Sequence, residues 1–179
     1  MKAFTLFVLF SAVIMINCAI PTGKYRIRSE KYDTYWDLCG SNTECPDPVN
    51  IFAHHFLGDI FQTFTVTALP NGFYSITALF NGRGVAATEA ANPSDTIFLT
   101  AANSDNYNQQ FVFVKRGDNT YIIKPRSLLS EAIQPPAVED GEIFLTDKNC
   151  GSKVQHFVLE PLPEFLNFDL DGSQPQNRL

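Results

Sequence analysis

Apolar and polar positions alternate along most of this chain, on a repeated beat. Gln109-Gln110-Phe111 runs into the alternating stretch Phe111-Val112-Phe113-Val114. Gln62-Thr63-Phe64 stands 47 positions before it and Gln155-His156-Phe157 stands 46 after it. A second marker, Tyr-x-Ile, recurs as Tyr25 to Ile27, Tyr74 to Ile76 and Tyr121 to Ile123. A third falls between them as Val49-x-Ile51, Ile97-x-Leu99 and Ile143-x-Leu145. Three markers in one order, three times over, define an internal repeat of about 47 residues, and a repeat constrains the fold more than any local pattern does.

Period-two alternation predicts half-buried strands. In repeat one they fall at 23–28, 35–38, 49–52 and 61–67; in repeat two at 73–79, 85–88, 96–100 and 110–114; in repeat three at 120–124, 128–133, 142–146 and 155–160. Pro70-Asn71-Gly72, Asn81-Gly82, Gly117-Asp118-Asn119 and Asp140-Gly141 supply turns between them. No stretch has a helical period. Four short strands, three times, predict an all-β fold with threefold internal symmetry, a β-trefoil. One repeat alone exposes an apolar face, so three must close together to bury it. The Tyr-x-Ile and Gln-x-Phe strands are therefore the expected core.

Composition then narrows the function. The chain has 179 residues, 45% hydrophobic and 18% charged, with 16 Phe and a net charge of -6. These values fit one folded domain. The acidic balance, without any Lys/Arg run, argues against nucleic acid and anionic membranes as partners. Lys2 followed by the apolar run Phe4–Ile16 and the small residue Ala19 reads as a signal peptide over 1–19, which implies a secreted protein without stable membrane insertion. The trefoil domain is expected over 20–160 and a flexible polar tail over 161–179. Cys39 and Cys45 enclose one short loop and are the favoured disulfide; Cys150 is then free, or an intermolecular attachment point, and its pairing with either other cysteine stays open.

The three Gln-x-Phe motifs resemble those of the ricin-B-type lectins, β-trefoils whose repeats end in Gln-x-Trp or Gln-x-Phe. The resemblance spans about residues 22–160. It implies carbohydrate binding, with glycans or glycoproteins as partners. A sugar offers an apolar face for an aromatic ring and a rim of hydroxyls for a carboxylate and amides. In the family the carboxylate lies 25 residues before the repeat-ending Gln, where this chain has Asp37 before Gln62. Asn50 and Phe52 fall at the positions of the third-strand polar residue and the stacking ring, and Phe61 takes the place of the usual Asn. Repeat two keeps the dyad Asn108-Gln109 as a weaker second site, with Ala86 at the acid position, Thr100 at the ring position, and Glu89 or Asp95 as substitutes. Repeat three has Val154 before Gln155, Thr146 at the ring position and Glu131 as its nearest acid, so it is expected to be silent.

Other chemistries find less in the chain. The histidines are His54, His55 and His156, and no third metal ligand is spaced to join the first two, so no metal or other cofactor is expected. Asp169-x-Asp171-Gly172 begins like a calcium loop but lacks its closing Glu. No base and nucleophile are paired for catalysis, and an enzyme is not expected. Two alternatives stand beside the lectin: a protease inhibitor acting through the loops at 40–48 or 92–95, and an extracellular coat or adhesion protein whose sugar sites have degenerated.

Overall fold

A computed structural model describes residues 19–39, 50–87, 96–149 and 152–163. Repeat one comprises β1 (Gly23–Ser29), β2 (Tyr35–Asp37), β3 (Phe52–His54) and β4 (Phe64–Ala68). Repeat two comprises β5 (Tyr74–Ala78), β6 (Gly84–Ala86), β7 (Phe98–Thr100) and β8 (Phe111–Gly117). Repeat three comprises β9 (Thr120–Pro125), β10 (Glu131–Gln134), a two-residue β11 (Gly141–Glu142), β12 (Phe144–Asp147) and β13 (Phe157–Pro161). The expected third strand of repeat three is thus split in two, and its expected second strand is preceded by a 3-10 turn at Arg126–Leu128.

The first and last strands of each repeat close a six-stranded antiparallel barrel. Within repeats β1 pairs β4, β5 pairs β8 and β9 pairs β13; between repeats β4 pairs β5, β8 pairs β9 and β13 returns to β1. This ring has no free edge, which removes the usual hazard of an unpaired strand. Its interior takes the predicted residues: Phe64, Phe111 and Phe157 are fully buried, with Ile27, Ile76 and Ile123 beside them. Trp36 enters the same core, its ring edge-on to Phe64 and Phe157 at 5.8 and 5.7 Å. The Tyr residues of the second marker gather toward one mouth. Burial, and then the neighbouring Tyr121 and Tyr74, push the Tyr25 hydroxyl above its ordinary pKa. Ile20 lies against this mouth, 4% exposed, and its N–H donates to the Tyr74 hydroxyl at 3.0 Å.

The middle strands form three hairpins over the other mouth: β2 with β3, β6 with β7, and β10 with β12. Three cross-repeat bridges join them, Asn50 to Phe98, Thr96 to Phe144 and Glu142 to Phe52. Ile51, Ile97 and Ile143 are fully buried at this junction, and backbone bonds link Ile97 to Ile143 and Ile143 to Ile51. This symmetry corrects the third marker. Ile51 is the equivalent of Ile97 and Ile143, so repeat one is displaced by two residues from the expected alignment, and Val49 lies outside the described residues.

The last strands also begin later than alternation predicts. Ile60–Gln62, Tyr107–Gln109 and Lys153–Gln155 are 3-10 turns, capped at their N-termini by Asp59, Asn106 and Ser152. Each repeat-ending Gln is buried at the end of such a turn and clamps the loop after the third strand. The Gln62 amide accepts from Leu57 and Gly58 N–H and donates to the His55 carbonyl. Gln109 bridges Asn103 N–H and the Ala101 carbonyl, and Gln155 bridges Asn149 N–H and the Asp147 carbonyl. Space around the second clamp is tight: a Cβ on Gly84 would stand 2.2 Å from the Gln109 side-chain oxygen Oε1. The repeated Gln is a backbone staple, placed where a buried loop would otherwise leave polar groups unmet.

Candidate functional site

The registers define three equivalent rows of side chains, one per hairpin. Asp37 on β2 faces Phe52 on β3, which faces Glu142 on β11. Ala86 faces Phe98, which bridges Asn50. Gln134 faces Phe144, which bridges Thr96. Directly opposed residues in antiparallel strands share a face. On β2 and β3 that face is opposite the core, because Trp36 and Ala53 between them point inward. Each lobe therefore carries a half-buried Phe in the same place, and only the first has an acid on either side of it.

Within this row the expected residues take different roles. Asp37 is fully buried, and one carboxylate oxygen accepts from Cys39 N–H at 2.7 Å. Phe52 is half-buried and Glu142 is exposed. The Asn50 side-chain amide donates to the Glu142 carboxylate, which brings an amide and a carboxylate together across 92 residues of chain, at the register position opposite Phe52. Phe61 packs against the core and tilts over Phe80 at 4.6 Å; its carbonyl accepts from Leu38 N–H, next to Asp37. Gln62 has no exposed surface and is held in its clamp.

The other lobes differ from expectation. The ring position of repeats two and three is held by Phe98 and Phe144; Thr100 and Thr146 instead match His54, two residues further along. Gln134 stands at the acid position of repeat three, and Glu131 lies three residues earlier on the same strand. In the weaker second site Gln109 is clamped and the Asn108 carbonyl accepts from Ala87 N–H at 2.9 Å. Glu89, Asp95, Cys45 and Cys150 lie outside the described residues, as do both loops considered for an inhibitor.

Sequence reasoning missed Glu142 because it belongs to another repeat. A 46-residue spacing does connect Asn50, Thr96 and Glu142, and likewise Phe52, Phe98 and Phe144, and either series would have exposed the misalignment.

Asp59 completes the electrostatics behind the row. Its carboxylate accepts from Phe61 and Gln62 N–H at 3.0 and 3.2 Å. Burial, followed by the charge of nearby Asp37, pushes its pKa above the ordinary Asp value, against the lowering effect of those two N–H groups and Arg26. A carboxyl with a raised folded-state pKa contributes stability below its unfolded pKa and loses that contribution as pH rises through the folded one. Asn106 performs the same capping without charge. Asp59→Asn is therefore expected to keep the fold, and to gain stability relative to the native chain as pH rises from the acidic range to neutrality. Urea unfolding across that range checks this; a constant difference would rule out the raised Asp59 pKa. Asp59→Ala, which loses the cap, should cost about 1 kcal/mol.

No family model matches the chain, and no curated protein does. Solved structures do. A designed threefold-symmetric protein, ThreeFoil, superposes with a TM-score of 0.68 at 18% identity over 78% of this chain and 99% of its own. A ricin B-like lectin from Macrolepiota procera, solved in complex with lactose, gives 0.66 at 12% identity over 80% and 99%. An exo-β-1,3-galactanase from Clostridium thermocellum gives 0.66 at 20% identity over 79% of this chain but only 31% of the enzyme. The chain is a β-trefoil, with the fold that ricin B-like lectins have. Among the described residues no helix is long and apolar enough to cross a membrane.

Proposed function

We propose that this protein is a secreted, non-catalytic carbohydrate-binding module whose best site is in the first lobe. The observation that carries this reading is the Asp37–Phe52–Glu142 row, the one hairpin of the three in which acids flank the outward ring. Phe52 offers its face to the apolar side of a sugar, and Glu142 with the Asn50 amide meets the hydroxyls. Asp37, fully buried, supports the row from behind through its bond to the Cys39 N–H. A disulfide from Cys39 to Cys45 would fix the neighbouring loop, and Cys150 would provide attachment or clustering. The lactose complex of the Macrolepiota lectin, on the same fold, is in keeping with a glycan partner.

One small polar ligand gains little beyond its desolvation, so affinity should be on the order of millimolar to tens of micromolar. The test is a glycan array followed by calorimetry on the best ligand. Phe52→Ala and Glu142→Gln should each abolish retention, while Phe98→Ala in the second lobe leaves it intact. Retention that survives both first-lobe changes, or an array without any hit, would refute the assignment.

A further inference from the structure

A second cluster lies one step along the same hairpin, outside the proposed sugar row. His54 ends β3 and His55 follows it, while Glu139 and Asp140 lead into β11. The backbone brings these segments together: Asp140 N–H donates to the Ala53 carbonyl at 2.8 Å, and Gly141 pairs with Ala53. Asp140 takes a left-handed φ of 59°, a conformation that Asp tolerates better than most residues, to make the turn. Neither segment needs a ligand to reach its place.

The side chains converge on one point. The His55 Nδ1 touches a Glu139 carboxylate oxygen, and the same oxygen accepts from His55 N–H at 2.9 Å. The His54 Nδ1 lies 3.9 Å from that oxygen and 3.2 Å from the His55 carbonyl. On its far side the His54 Nε2 lies 3.3 Å from an Asp140 carboxylate oxygen. The two imidazole rings are 4.0 Å apart. Donor atoms of His54, His55 and Glu139 all fall within 4.8 Å of one another. In the tautomer with the His54 proton on Nε2, directed to Asp140, the Nδ1 lone pair faces a carbonyl and a carboxylate, an arrangement that a cation completes.

From this geometry we infer a divalent transition-metal site, of the zinc class, made by His54, His55 and Glu139. Two imidazoles and a carboxylate are the ligand types that such ions take, with open positions left for water. Bonds of about 2.0–2.1 Å set tetrahedral ligand atoms roughly 3.3 Å apart, so the required shifts are small. They fall on His55 and Glu139, whose side chains are 61% and 49% exposed and free to adjust. His54 is the fixed member, 5% exposed, and Asp140 behind it orients the ring as carboxylates commonly do for metal-bound histidine. The pseudo-symmetry makes the site singular. Thr100 and Thr146 replace His54 in the other lobes, and Ala101 and Asp147 replace His55. The chain's net charge of -6 favours a cation further. Spacing along the sequence offered no third ligand, because that ligand comes from a residue 84 positions away.

The experiment is calorimetric titration of the metal-stripped full chain with zinc chloride, paired with the visible spectrum of the Co2+ adduct. One Zn2+ per chain should bind, with a dissociation constant on the order of 10 µM or tighter. His55→Ala and Glu139→Gln, both surface changes expected to preserve the circular dichroism, should each weaken binding at least about tenfold. Glu30→Gln, at the separate Glu30–His156 pair, should leave it unchanged. Absence of zinc binding would mean that protons on the imidazoles satisfy the cluster, and would overturn the site. Binding that persists in either surface variant overturns it too, since the ion then sits on other groups such as the cysteines, and binding that falls in Glu30→Gln overturns it by placing the ion at Glu30 and His156.

Discussion

Phe157→Ala lowers the free energy of unfolding by about 3–5 kcal/mol, as truncation of a fully buried ring does when its surroundings relax only in part. Phe157 has no exposed surface, sits on a strand paired to both neighbours in the barrel, and meets the Trp36 ring edge-on at 5.7 Å. Phe64→Ala should cost as much for the same reasons. Phe111→Ala should fall toward the lower end. It is equally buried, but Val85 and Ile133 stand where the first lobe has Trp36, and Phe111 makes no ring contact among the described residues. An edge-to-face aromatic pair adds about 0.5–1.5 kcal/mol beyond buried area. Urea unfolding of the three variants measures both the size and the order. Three harmless substitutions would mean that these rings are not the core.

The second large effect is expected at a polar residue. Gln62→Ala should cost about 2–4 kcal/mol, because one buried amide serves three backbone groups: Leu57 N–H, Gly58 N–H and the His55 carbonyl. A buried group that loses its partner costs about 1–3 kcal/mol, while an exposed one recovers water. Gly58 is buried and Leu57 is exposed, so the loss should centre on the former. Because the same amide holds His55, zinc binding should weaken along with stability, and Phe52 on the strand before should be affected less. Thermal unfolding together with hydrogen exchange at Gly58 checks this. Unchanged protection there would show that the clamp is dispensable.

The repeated Gln and Phe were legible because each serves a local need that recurs. A ring fills the barrel and an amide staples the loop before it, so both stay in step with the chain. The same beat concealed the turns. Asp59, Asn106 and Ser152 each cap a 3-10 turn that ends at the Gln, and alternation alone cannot separate that turn from the strand it enters. The third-strand marker went astray because Val49-x-Ile51 satisfies the same apolar pattern as Ile51-x-Ala53; the even spacing of Asn50, Thr96 and Glu142, and the bridges they make, show that Ile51 and not Val49 belongs at the centre.

By itself the sequence determined the trefoil, its three lobes and the rings that fill it, since periodic burial leaves a periodic record. It also marked the first lobe as the one with an acid at the family's position. The depth of Asp37, the arrival of Glu142 beside Phe52 and Asn50, and the meeting of His54 and His55 with Glu139 belong to the tertiary structure. Those contacts join the first repeat to the third across more than 80 residues, and which strands become neighbours is set by closure of the whole barrel and cap, which no segment of the chain records alone.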